Sequence, residues 1–129
     1  KIQLYTVPGQ VKYNATRRLV LRGVDGIVFV ADAMAVRREK NILSLKNLQE
    51  NLANYKKSIF KIPCVLQYNK LDLLEQGIPL LSTDILEKDL NSQLKRPSFS
   101  ASALKGTNVV ATLKKIISMT VASIKRDLK

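Results

Sequence analysis

The chain has 129 residues, enough for one domain around one core, and no stretch of it approaches the roughly 18–20 apolar residues that span a bilayer. With no histidine and a single cysteine, Cys64, it has neither a zinc ligand set nor an internal disulfide, and without an apolar leader its expected place is the cytoplasm. A net charge of +12 asks for an acidic partner: nucleic acid, an anionic membrane surface, an acidic protein or a phosphorylated ligand. The bland alternative is lysines spread over solvated helix faces, and specific nucleic-acid binding is disfavoured because no aromatic-basic platform accompanies the charge.

Ile2-Gln3-Leu4-Tyr5-Thr6 alternates at period two and predicts a strand that ends at the turn Val7-Pro8-Gly9. Residues Tyr13 to Leu21 suit a short amphipathic helix. Gly23 and Gly26 then punctuate the chain before Ile27-Val28-Phe29-Val30-Ala31, a β-branched run of the kind buried on both faces of a parallel sheet. From Glu39 to Lys57, Ile42, Leu45, Leu48, Leu52 and Tyr55 recur at helical steps. Ile62-Pro63-Cys64-Val65-Leu66 predicts the next strand, with Cys64 as a buried structural thiol. Ser82 or Thr83 suits the cap of a short helix holding Ile85, Leu86 and Leu90, and Pro97 to Ser100 a short strand. Val110, Leu113, Ile116, Ile117, Thr120, Val121, Ile124 and Leu128 form the stripe of a final helix. Strands and helices thus alternate, which predicts an α/β domain with a mainly parallel sheet and ligands beyond the carboxyl ends of its strands.

Three constellations fall at such ends. The first is Asn69-Lys70-Leu71-Asp72, an N-K-x-D tetrad directly after a buried strand. A carboxylate accepts two hydrogen bonds at once, so Asp72 suits the ring N–H and exocyclic amine of guanine; the Asn69 amide suits the purine N7, and the stem of Lys70 the base plane. The second is Thr6-Val7-Pro8-Gly9-Gln10, set where a GTPase carries D-x-x-G and then glutamine. There Gly9 would meet a γ-phosphate, Gln10 would orient the attacking water, and Thr6 would bond a metal-bound water without adding charge; read alone, the same residues are equally a turn. The third is Ser100-Ala101-Ser102-Ala103-Leu104, followed by Lys105-Gly106: after the last strand it suits presenting a backbone N–H to the guanine carbonyl, and read alone it is a small-residue turn before a helix. Arg17, Arg18 and Arg22, just after the second constellation, suit phosphate, an acidic partner or simple solvation.

Together these residues resemble the MglA family of bacterial Ras-like small GTPases. The stretch from Leu4 through Thr6-Val7-Pro8-Gly9-Gln10, Tyr13-Asn14-Ala15-Thr16-Arg17 and Gly23-Val24-Asp25-Gly26 to Asp32 is similar to that family's signature, which itself has T-V-P-G for D-x-x-G. The likeness continues through Gln67-Tyr68-Asn69-Lys70 and Asp72 to Ala103, Gly106 and Val109. Ala33-Met34 stand where the family has serine and glutamine, and Ser100 and Ser102 where it has glutamate and valine. The resemblance implies a P-loop NTPase fold of the Ras type, a three-layer α/β/α arrangement. It further implies GTP or GDP with Mg²⁺, slow hydrolysis with Gln10 placing water, a role in motility or polarity switching, effector proteins, and a Roadblock-type activating partner, MglB. The family's catalytic arginine comes from a segment that would precede Lys1.

No G-x-x-x-x-G-K-[ST] phosphate cradle occurs in the 129 residues. Residues 1–129 are therefore expected to be the C-terminal portion of a single Ras-like domain. A preceding strand–P-loop–helix–strand block would fill the slot between Ile2–Thr6 and Ile27–Ala31. Otherwise a second chain fills it, making a dimer. An alternative function is a non-catalytic interaction module.

Overall fold

The computed structural model describes residues 19–70, 73, 76–102 and 105–128. Thr6, Gly9, Gln10, Asp72, Ala103 and Leu104, together with the expected first strand, lie outside them. Residues 19–21 are helical, and the rest of the helix expected over Tyr13 to Leu21 lies outside the described residues.

Three strands form one parallel sheet in chain order: β1 (Ile27–Asp32), β2 (Cys64–Asn69) and β3 (Ser98–Ser100). The first two pair along their whole length, from Ile27 opposite Cys64 to Asp32 opposite Asn69. β2 is the strand buried on both faces: it is buried from Cys64 to Tyr68 and runs three residues past the apolar stretch that announces it. β1 instead alternates, with Ile27, Phe29 and Ala31 buried while Val30 is 53% exposed.

The alternation separates two layers. On one face Ile27, Phe29, Ala31, Cys64, Leu66 and Tyr68 pack with Leu45 and Leu52 of α1 (Arg38–Ala53) and with Leu86 and Leu90 of α2. The latter is a short helix, Thr83–Leu86, that widens into a π turn at Glu87–Asn91. Ser82 is its cap, the hydroxyl accepting the Ile85 N–H at 3.2 Å. The other face carries α3 (Val109–Asp127), which touches all three strands. It crosses so close to the start of β1 that a Cβ on Gly26 would collide with Thr120 Oγ1. This is the three-layer α/β/α arrangement the sequence predicts. Of the stripe on α3, Ile116 is buried, whereas Val110, Val121, Ile124 and Leu128 are exposed.

α1 stops four residues before the helical periodicity does. The Lys57 N–H bonds the Leu52 carbonyl and the Lys56 N–H that of Ala53, with Lys56 at φ 58°: a Schellman closure with lysine where glycine is usual. Cys64 is buried, and burial pushes its thiol up to about 11 against a lowering by Arg96, so it is an inert core group as expected.

Candidate functional site

The carboxyl ends of β1 and β2 lie side by side, so Asp32 and Asn69 are register partners and the Ala33 N–H reaches the Asn69 carbonyl at 3.0 Å. Asp32 is fixed from two directions. Asn41, buried on the first turns of α1, donates from Nδ2 to the Asp32 carbonyl at 2.8 Å, and its Oδ1 accepts the Asp32 N–H at 3.1 Å. The Asp32 carboxylate accepts the Met34 N–H at 3.0 Å on one oxygen and the Lys70 ammonium at 2.7 Å on the other, with Arg37 Nε at 3.9 Å.

Lys70 is therefore held at both ends. Its backbone sits in the left-handed region, φ 74°, which costs a non-glycine residue about 1–2 kcal/mol. Strain of this kind persists where surrounding contacts over-determine it. Here those contacts are the Asp32 ion pair and the Leu73 N–H donating to the Lys70 carbonyl at 3.0 Å. The turn sends the chain out of β2 into the loop that carries Asp72 in the sequence. The far end of that loop is tied down as well. Leu80 bridges Met34 in antiparallel fashion, Ala35 N–H bonds the Pro79 carbonyl at 3.0 Å and Leu81 N–H the Ala33 carbonyl at 2.7 Å.

Of the third constellation, Ser102 is described and follows the end of β3. Ala101 N–H extends the β2–β3 ladder to the Tyr68 carbonyl at 2.7 Å. Ser102 is buried, its N–H bonds the Thr107 carbonyl at 3.2 Å, and its hydroxyl accepts the Lys105 N–H at 3.1 Å. Ser102 thus shapes the turn from within. Asn108, at φ 59°, closes the turn by donating to the Ser100 carbonyl at 2.7 Å. Asn69, Lys70 and Ser102 all lie at the carboxyl ends of the strands.

Beneath this edge, Glu87 joins α2 to the sheet. Its carboxylate accepts the Tyr68 hydroxyl at 2.8 Å, the Ser98 hydroxyl, and Asn91 Nδ2 at 2.8 Å. Burial pushes the Glu87 carboxyl up, but the three donors outweigh it and hold the group below its ordinary value. Burial, reinforced by the bond to Glu87, pushes the Tyr68 phenol up, so it stays a donor. In the sequence, Asn41 and Glu87 belong to no motif, and Asp32 stands out only as the end of a signature. Asp32 carries a local signal, an acid ending a buried strand. The Asn41 contact spans nine residues and leaves no local mark. Among the described residues no group of acids, cysteines or histidines is arranged to hold a metal ion, and no helix is long and apolar enough to cross a membrane.

A three-layer domain with parallel strands in this order and helices on both faces is a Ras-like architecture. The Ras family model matches residues 1–122, and the chain belongs to that family of small GTPases. A curated relative, the mutual gliding-motility protein MglA of Myxococcus xanthus, is 43% identical over 126 residues, which cover 98% of this chain. The chain spans 62% of that relative's length.

Proposed function

We propose that this chain reads the guanine base of GTP and GDP within a nucleotide-dependent switch of the MglA type. The observation that carries the reading is Lys70: a lysine forced into the left-handed region at the end of β2 and pinned there by Asp32, two residues before Asp72 in the sequence. Strain at such a position costs stability and is repaid by setting the following loop for a ligand. In this reading Asn69 fixes the loop and meets the purine, Lys70 lays its stem along the base, and Asp72 accepts both guanine donors. The Ser102 turn positions the backbone of Ala103 and Leu104 against the base carbonyl.

The nucleotide supplies the phosphate bond to be cleaved and carries Mg²⁺ on its phosphates. The base-reading residues suit it: their donor and acceptor set matches guanine, and the Lys70 ion pair holds the ammonium and leaves the aliphatic stem to lie along the base. Toward the phosphates, Gly9 offers an N–H, Thr6 a hydroxyl for metal-bound water, and Gln10 an amide that orients the attacking water. A cell-polarity or motility role in the cytoplasm, with a Roadblock-type activator and effectors docking according to the bound nucleotide, follows from the likeness to MglA.

The deciding experiment is titration of GDP and GTP, with Mg²⁺, against the full-length protein and its Asp72→Asn variant. An amide cannot accept both guanine donors, and each orphaned polar group costs about 1–3 kcal/mol. A loss of roughly 30-fold or more is expected. Absence of binding by the unaltered protein overturns the reading and leaves an interaction module that keeps the fold alone.

A further inference from the structure

The two edges of the sheet differ in how their charges are handled. The ion pairs among the described residues, Lys70 and Arg37 with Asp32 and Arg38 with Asp89, all lie toward the carboxyl side. At the amino edge the turn before β1, the loop 54–63 before β2, the turn before β3 and the end of α3 come together. They carry Arg22, Lys56, Lys61, Lys95, Lys125 and Arg126, all exposed, against only Asp25 and Asp127. Lys56 and Lys61 share one shallow depression with Ile124 of α3, so these elements meet in space and not only in topology.

Two further cations at this edge face inward and stiffen it. Lys57 Nζ donates to the carbonyls of Arg22 at 2.7 Å, Val24 at 3.4 Å and Leu21 at 3.5 Å. The Arg96 guanidinium donates to the Phe60 and Ile59 carbonyls. The loop held this way presents Phe60, 53% exposed, at a second depression that shares Lys57 and Ser58 with the first, while Ile124 of α3, and Leu128 just past its end, are exposed as well.

We infer that the amino edge is a docking surface for an anionic lipid bilayer, oriented so that the guanine-reading edge faces away from the membrane. A bilayer offers both halves of what this surface presents: a sheet of anionic headgroups for cations spread around a rim, and an apolar layer just below them for one aromatic ring and two aliphatic side chains. Nucleic acid would favour a groove with stacked aromatics, and here the loop exposes a single ring, Phe60. Lysine dominates over arginine, which suits diffuse attraction more than bidentate phosphate recognition.

The test is cosedimentation of the full-length protein with vesicles of phosphatidylcholine alone and of phosphatidylcholine with phosphatidylglycerol, at low and high salt. Binding to the anionic vesicles only is expected. Lys56→Glu with Lys61→Glu should weaken it by about 25-fold or more, since each lysine near such a surface is worth about fivefold. Lys40→Glu with Lys46→Glu, an equal charge change on exposed positions of α1, should weaken it by about twofold at most. Phe60→Ser should remove what binding survives high salt. Equal losses in the two double variants would reduce the effect to net charge and overturn the inference. So would indifference to phosphatidylglycerol, or tighter binding to duplex DNA or polyglutamate that depends equally on Lys56 and Lys61. Thermal unfolding of each variant separates loss of binding from loss of fold.

Discussion

The carboxyl and amino edges of this sheet use the same device to different ends. In both, a long or amide side chain reaches across the chain to satisfy backbone groups outside the regular ladders. At the carboxyl edge Asn41 meets the Asp32 backbone while Lys70 meets the Asp32 carboxylate, so charge is cancelled and the backbone is drawn into a strained turn. At the amino edge the reaching groups are Lys57 and Arg96, and they meet carbonyls, so loops are fixed while positive charge stays uncancelled. Satisfying the backbone is a general demand of folding. Whether the satisfying group is itself neutralised decides what the surface can bind: a neutral, shaped edge suits one ligand in one pose, and a rigid charged edge suits an extended partner.

Asn41→Ala breaks the comparison most severely. It orphans the Asp32 N–H and carbonyl together and loosens the residue that holds Lys70, at a cost of about 2–4 kcal/mol. Urea unfolding should show that loss, and guanine nucleotide affinity should fall with it, whereas anionic vesicle binding should be unchanged. Gly26→Ala attacks the amino side next, by driving a methyl group against Thr120 of α3. Overpacking of this kind costs about 1–3 kcal/mol. Adding Thr120→Ala should return most of the loss, and a double variant no more stable than Gly26→Ala alone would show that backbone conformation, not the close approach of α3, requires the glycine.

How far the sequence announces these features depends on their range. The strand before Asn69, the Ser82 cap and the alternation of strands and helices are local patterns, and they are legible as such. The last three residues of β2 are not, because Gln67 and Tyr68 look polar in sequence yet are buried by the layers above and below. The end of α1 is hidden because Lys56, not glycine, takes the left-handed position of its closure. At the site, the N-K-x-D spacing marks the turn at the end of β2, but not the clamp behind it. Asn41 and Asp32 are ordinary residues until the fold brings α1 over the end of β1. The widening of α2 at Glu87–Asn91 is equally silent: it lets Asn91 bond both Glu87 and the backbone of Arg96, and that contact exists only once the turn toward β3 has formed.

The mildest break falls between the two edges, at Tyr68. Tyr68→Phe keeps the ring in the core and removes one of three donors to Glu87, at a cost of about 1 kcal/mol at neutral pH. The pH dependence distinguishes this account from simple repacking. Glu87 titrates below its ordinary 4.5 in the folded protein, so its stabilisation is complete above that value and is lost as pH falls through the lowered folded value. With one donor gone, burial pushes Glu87 back up and less of that stabilisation exists to be lost. Urea unfolding should therefore show a gap between Tyr68→Phe and the unaltered protein that is widest near pH 7 and narrows toward pH 3. A gap that stays constant across that range would mean that the hydroxyl matters for packing alone, and that Ser98 and Asn91 suffice to hold α2 against the sheet beneath the site.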